Sequence, residues 1–274
     1  MTETDGAERL RDNTKFWRVL AAAAEVAGLL WGKGWAERNA GNLSFDVTDV
    51  VPAPDGAGVA AGATALPRSF PELGGRRLLV TAAGSRMREI AQDPDRFCGV
   101  LQFSPDGSRH AVAWRGRGTG TFAPTSELPS HLAIHAALRR RQSAHCAIVH
   151  THPTELLALS HDARLKDAAQ LNRLLSAMHP ETVVVVPDGL ALVPYLLPGT
   201  FEQGLAAGVA MERHDVALWE KHGAVAVGAG FVEAFDLIDT MNAAARLLLL
   251  CRSAGLEPEG LTDAQLDELR RAGA

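Results

Sequence analysis

Ala147-Ile148-Val149-His150-Thr151-His152-Pro153 is the stretch from which the chain is best read. Three apolar residues lead in, and Pro153 ends any ladder because it has no N–H to donate. The run predicts a buried strand. Residues two apart on a strand point to the same face, so His150 and His152 present two imidazoles side by side at its end. Neutral imidazole is the commonest protein ligand for zinc, and a catalytic zinc usually takes three protein ligands and keeps one position open. His222 follows a second strand-like run, Val216-Ala217-Leu218-Trp219, and Gly223 behind it lets the backbone come close. A His-x-His pair alone is more often a pair of surface or core histidines. Here both histidine positions end apolar strands, and an uncommitted carboxylate, Glu127, stands elsewhere in the chain. The pattern predicts a divalent metal on His150, His152 and His222 at the edge of a sheet.

The rest of the sequence sets the frame for that site. Its 274 residues are 47% hydrophobic, enough for a substantial core. No run of 18 apolar residues and no basic-then-apolar leader is present, so neither a membrane span nor a signal peptide is expected. Cys98, Cys146 and Cys251 are odd in number and lack C-x-x-C spacing, which reads as reduced thiols in a cytoplasmic protein. A formal net charge of −5 and a pI near 6.1 argue against a polyanionic partner. The one basic run, Arg139-Arg140-Arg141, falls at a predicted helix C-terminus, where cations suit the helix dipole.

Residues 1–13 are polar and read as a frayed end. Trp17, Leu20, Ala24, Ala27 and Trp31 recur at spacings of three and four, the stripe of a helix over about residues 14–31 that Gly32 and Gly34 would end. Asn39 to Asn42 form a turn into a strand at Leu43-Ser44-Phe45-Asp46-Val47. That turn is either an ordinary Asn-Gly turn or one that aims N–H groups at an anion. Residues 49–75 read as a long surface excursion. Arg77-Leu78-Leu79-Val80-Thr81 is a strand running through Ala82-Ala83-Gly84-Ser85 into a short helix, an arrangement able to hold a phosphate or carboxylate. Strands around residues 99–103 and 111–114 flank a Pro105-Asp106-Gly107 turn.

Pro124-Thr125-Ser126-Glu127-Leu128-Pro129 opens a helix to about Arg141, capped by Thr125 or Ser126, with Glu127 in its first turn. Glu127 is there either as a partner of the helix dipole or as a carboxylate tuned by a nearby metal. After the histidine strand come helices over residues 153–161 and 165–178. The run Glu181-Thr182-Val183-Val184-Val185-Val186-Pro187 reads as a buried strand with Glu181 at its start. Thr200-x-x-Gln203 caps another helix. Strands at 216–219 and 224–227 and a long helix from Phe231 follow. The whole, residues 1–274, is expected to be one α/β domain: a central, largely antiparallel sheet covered by helices.

Gly34-Trp35-Ala36-Glu37-Arg38-Asn39-Ala40-Gly41-Asn42, Pro124-Thr125-Ser126-Glu127-Leu128-Pro129, His150-Thr151-His152 and Trp219-Glu220-Lys221-His222-Gly223 together resemble the class II aldolase/adducin family. Their order and spacing match from about residue 14 to 260, and as a set they are highly specific. The resemblance implies an α/β/α fold, a cyclic homotetramer with active sites between subunits, and one zinc per chain on His150, His152 and His222. Glu127 would be an acid/base beside the metal. Asn39, Gly41, Asn42, Gly84, Thr125 and Ser126 match positions around a substrate phosphate. Glu181 matches a carboxylate that reaches a neighbouring subunit's site. The implied reaction is reversible cleavage of L-rhamnulose 1-phosphate to dihydroxyacetone phosphate and L-lactaldehyde.

That chemistry needs a Lewis acid for the charge left on the three-carbon fragment, one base for the C4 hydroxyl and one acid for C3. One departure stands out. Relatives carry Ser or Thr before the glycine of the strand-turn-helix site, and this chain has Ala83-Gly84, so Ser85 is expected to supply the missing hydroxyl. A same-family epimerase or an aldolase acting on fuculose 1-phosphate or a sugar acid is the alternative. Those relatives use tyrosines near the site, and the only tyrosine here is Tyr195. A metal-dependent hydrolase is the reading outside the class, but Pro153-Thr154-Glu155 follows the histidine pair where the metallo-β-lactamase pattern needs Asp and His.

Overall fold

Every run with strand-like alternation pairs into one sheet, apart from the valine run at 181–186. The computed structural model describes residues 10–53, 63–117 and 121–272. Its strands are β1 (Asn42–Asp46), β2 (Thr64–Ala65), β3 (Arg77–Thr81), β4 (Cys98–Phe103), β5 (Arg109–Arg115), β6 (Ala147–Thr151), β7 (Leu190–Val193), β8 (Val216–Trp219) and β9 (Gly223–Gly228). They lie in the order β2-β5-β4-β3-β1-β6-β9-β8-β7. Neighbours are antiparallel except β7 and β8, which run parallel, so the α/β fold with a largely antiparallel sheet holds.

Two helical layers cover the sheet. On one side lie α1 (Thr14–Gly32), α5 (Thr154–Ser160), α6 (Ala168–Met178) and α9 (Phe231–Ser253); on the other lie α4 (Leu128–Arg140) and α8 (Phe201–Ala210). The short helices α2 (Met87–Ile90), α3 (Pro94–Phe97) and α7 (Glu181–Val185) and the C-terminal α10 (Asp263–Ala272) complete the set. Period two assigns the residues of β6 to these layers. Ala147 and Val149 pack with the α1/α9 side, and Ile148 packs with α4 and α8. His150 and His152 share the Ile148 face, so they point toward the N-termini of α4 and α8. They sit at the end of a central strand, not on an edge strand.

Several expectations need correction. The buried face of α1 is Phe16, Leu20, Ala23, Val26, Ala27 and Leu30, so Leu20 and Ala27 lie on the expected face while Trp17 and Trp31 are exposed. Large rings drew the stripe roughly 70° from its true phase, at about 100° of turn per residue. Helix α4 begins at Leu128 and Glu127 is its N-cap residue, not part of its first turn. Helix α6 starts at Ala168, three residues later than expected, with the Asp167 carboxylate accepting from Ala169 N–H. Residues 181–185 form helix α7, not a strand. The sheet position beside β8 is taken by β7, and Thr182, Val183 and Val186 bury one helical face instead. Here tertiary packing overrides the β propensity of valine.

Leu10 is buried and Asn13 caps α1 by accepting from Phe16 N–H, so residues 10–13 are tied down; the rest of the stretch read as frayed lies outside the described residues. Within the expected excursion, Phe70 and Leu73 are buried anchors, and residues 54–62 lie outside the described residues. Among the described residues no helix is long and apolar enough to cross a membrane.

Candidate metal and catalytic site

One end of the sheet gathers the beginnings of β1 and β9 and the ends of β3, β6 and β8. Asn42 pairs with His150, Thr151 with Ala224, and Trp219 with Gly223. Gly223 is required there. A Cβ on it would lie 2.5 Å from the Thr151 oxygen, 2.8 Å from His152 Cδ2 and 2.9 Å from His150 Cε1. With Lys221 in the left-handed region (φ 59°), the turn carries His222 back over the pair. The ligand atoms of His150, His152 and His222 lie within 4.8 Å of one another.

Glu127 completes the group from the N-cap of α4. Its Oε2 is 3.1 Å from His150 Nε2 and its Oε1 is 2.9 Å from His222 Nε2. Asn42 Nδ2 donates to Oε2 at 2.8 Å. Burial alone pushes the Glu127 carboxyl up, but His150, His222 and the Asn42 hydrogen bond outweigh it and hold the group well below the usual carboxylate range. It is ionised at neutral pH.

Each imidazole has a partner on its outer nitrogen. His150 Nδ1 lies 2.9 Å from the Ala224 carbonyl oxygen and must donate to it. His152 Nδ1 is 2.8 Å from Glu37 Oε1. His222 Nδ1 accepts from Gln203 Nε2 at 2.9 Å. Such partners fix ring orientation, and the oxygens on His150 and His152 leave their Nε2 atoms for the centre.

The donor set fits a divalent metal, and His150 gives the physical reason. Burial drives its pKa down to about 3, so the ring is neutral, and its one proton is on Nδ1. Its bare Nε2 lone pair therefore faces a carboxylate oxygen with no proton between them. A buried pair of acceptors at that separation calls for a cation. Metal binding by His222 through Nε2 would place a proton on Nδ1. The Gln203 amide would then have to present its oxygen, giving up the bond it now accepts from Gly199 N–H.

The proposed anion-binding residues meet the same end of the sheet. The turn after β3 and the loop before α4 are stitched together: Ala83 N–H donates to Ala123 O, and Thr125 N–H to Thr81 O. Asn39 and Ser126 are exposed; Thr125 is buried, its Oγ1 accepting from Glu127 N–H. Gly41 (φ 79°) passes so close that a Cβ would stand 3.0 Å from the His150 oxygen. Gly84 (φ 73°) has open space instead. Ser85 Oγ donates to the Ala82 oxygen at 2.7 Å, capping its own turn. Asn42 is committed to Glu127 by one N–H. The structure does not bring Glu181 to this group: it is exposed at the first position of α7, which packs on α6, α9 and α10.

Glu37, Gln203 and Trp219 were not singled out from sequence as parts of the site. Trp219 stacks on His150 with ring centroids 4.6 Å apart. Gln203 was legible only as the last residue of a capping box. Its backbone N–H does donate to the Thr200 hydroxyl oxygen as in a cap, but its side chain serves Gly199 and His222.

Two more histidines, His131 and His135 on α4, are fully enclosed. Burial, partly opposed by Glu127, lowers His131 to about 4. Burial lowers His135 to about 3 against the pull of Asp46, with His131, Arg139 and Arg76 adding to the drop. Between the ordinary value of 6.5 and these values, the unfolded chain takes up protons that the folded one refuses. Stability is therefore full above pH 6.5 and falls as the pH drops towards 4. Urea unfolding at pH 7.5 and 5.0, with chelator in both samples, should show a clearly lower midpoint at pH 5.0. Equal midpoints would mean that these rings are not held neutral.

A sequence profile of the Class II Aldolase and Adducin N-terminal domain matches residues 21–249. A rhamnulose-1-phosphate aldolase of Bacteroides thetaiotaomicron is 36% identical over 252 residues, covering 90% of each chain. One of Shigella boydii is 34% identical over 228 residues, covering 82% of each. The crystal structure of a sugar-phosphate aldolase from Thermotoga maritima superposes with a TM-score of 0.75 at 34% identity, over 90% of this chain and 100% of that one.

Proposed function

Because the chain belongs to the class II aldolase and adducin family, we propose that its three-histidine site cleaves L-rhamnulose 1-phosphate reversibly to dihydroxyacetone phosphate and L-lactaldehyde. The observation that carries this reading is the meeting of three imidazole nitrogens and an ionised glutamate with no proton to separate His150 from Glu127. The resident metal is zinc, one per chain, which suits an all-imidazole set. When bound it supplies Lewis-acid stabilisation of the negative charge left on the three-carbon fragment.

The chain's own groups do the rest. A base removes the C4 hydroxyl proton, the C3–C4 bond breaks, and the aldehyde leaves. Glu127 carries the proton that returns to C3 and takes it back in the synthetic direction. A second carboxylate must serve C4. Glu181 is exposed on its own subunit, and we assign it to the site of a neighbour in a homotetramer. Asn39, Gly41, Asn42, Gly84, Thr125 and Ser126 line the phosphate side. The expected contribution of Ser85 requires its hydroxyl to leave the Ala82 carbonyl, so the phosphate leans on the Gly84 backbone and on Thr125 and Ser126 instead.

A coupled assay for dihydroxyacetone phosphate over a panel of ketose 1-phosphates tests the substrate. Rhamnulose 1-phosphate should give the highest kcat/KM, and free rhamnulose should be cleaved at least about tenfold less well, the worth of one charged hydrogen bond. A preference for fuculose 1-phosphate would overturn the sugar assignment. Equal use of the free sugar would overturn the phosphate site.

A further inference from the structure

Behind Glu127 runs a line of buried polar side chains of which the reaction as described uses only Asn42. Asn42, Ser44 and Asp46 share one face of β1 by period two; His131 and His135 on α4, with Glu127 at its N-cap, form one line by steps of four. The two rows interdigitate. Asn42 lies between Glu127 and His131, its Nδ2 on Glu127 Oε2 and its Oδ1 on His131 Nε2. Ser44 Oγ lies between the two histidines, 2.6 Å from His131 Nδ1 and 2.9 Å from His135 Nε2. Asn42, Ser44, His131 and His135 are all buried, none more than 7% exposed.

The direction of every bond in this line follows from its first member. A carboxylate only accepts, so Asn42 must turn its N–H to Glu127 and its oxygen to His131. That oxygen also only accepts, so His131 carries its proton on Nε2. Its bare Nδ1 then accepts a hydrogen bond from the Ser44 hydroxyl. Ser44 Oγ in turn accepts from His135 Nε2–H, leaving His135 Nδ1 as a bare lone pair. That atom is one of the buried nitrogens with no hydrogen-bond partner among the described residues. The line thus ends on an atom with nothing to donate, which is the less costly way to end it.

We propose that His131 is a positioning residue for Glu127. Acting through Asn42, with Ser44 and His135 behind it, it holds the carboxamide with its N–H toward the carboxylate and so fixes where the Glu127 oxygens stand. The line is not a proton wire, because an amide between two partners cannot hand a proton on without turning over. Without His131 the amide can turn and present its oxygen to the carboxylate, which repels it. The inference rests on the reading of Glu127 as the carrier of the C3 proton.

Two measurements on the zinc-loaded protein test it. Ring-nitrogen NMR of protein labelled with [15N]histidine, assigned with His131→Gln and His135→Gln, should show both rings as the Nε2–H tautomer at pH 7. An Nδ1–H tautomer at His131 overturns the proposal, and this readout needs no substrate. In kinetics, His131→Phe should lower kcat by about 10–100-fold, the usual cost of losing an orienting partner, with KM and zinc content nearly unchanged. His131→Gln, whose amide can donate to the same Asn42 oxygen, should recover most of the loss, and Ser44→Ala should fall between. Equal impairment of the Phe and Gln variants, or a Phe variant as fast as the wild type, overturns it. If the Phe variant does not fold, the tautomers, the Gln variant and Ser44→Ala still decide. Failure of the aldolase reading itself would look different: no dihydroxyacetone phosphate from the wild type.

Discussion

The His222→Ala variant is expected to lose its metal and to cleave rhamnulose 1-phosphate roughly a thousandfold less efficiently, since Lewis-acid stabilisation is worth several kcal/mol. His222 is one of three converging imidazoles, and Glu127 lies between its Nε2 and that of His150. Two remaining histidines on one strand cannot close a site that normally needs three protein ligands. The fold should survive. His222 lies in the turn between β8 and β9, and the pairing of those strands is backbone to backbone. The cost to stability is the lost partner of Gln203 Nε2, of order 1–3 kcal/mol. Elemental analysis of protein prepared without chelator, beside circular dichroism, checks both halves. A folded variant that keeps one equivalent of metal and wild-type activity would sink the assignment of His222 as a ligand.

The second large effect separates the two carboxylates. Dihydroxyacetone phosphate alone, in deuterated buffer, should exchange its C3 proton through Glu127, with no aldehyde present. Glu127→Ala should reduce that exchange by about 10²–10⁴-fold, the range for loss of a general acid–base group. Glu181→Ala should slow cleavage by a comparable factor yet leave much of the exchange intact, because the proton assigned to it is that of the C4 hydroxyl. Mixing a Glu181→Ala chain with a His222→Ala chain should restore part of the activity if Glu181 serves a neighbour's site. Equal loss of exchange in both variants, or no rescue on mixing, would break this division of labour.

Much of the site is legible in the order of residues alone. The alternation of Ala147 to Thr151, with Pro153 as a stop, sets β6 and places His150 and His152 on one face. Gly223 marks a close approach, and the contacts its Cβ would make show why no larger residue fits. What fails is local propensity without a neighbour to check it. The valine run at 183–186 has strand chemistry, yet the sheet position goes to Leu190–Val193, which pairs with β8, and Val183 to Val185 turn into a helix. Trp17 and Trp31 mislead the phase of α1 because ring size says nothing about which side the sheet lies on.

The sequence by itself determined the residues with period-two or period-four meaning: the strand histidines, the turns around them, and the glutamate before Leu128. Only the tertiary structure decided how these rows meet. His131 and His135 look like ordinary polar positions on a helix until β1 is laid against α4 and Ser44 falls between them. Gln203 looks like a cap until α8 is brought to His222. The reason is physical. Periodicity fixes the face on which a side chain lies, a property of a few consecutive residues. The partner on the opposite element depends on register and packing between segments some 20 to 120 residues apart, and no local pattern encodes that distance.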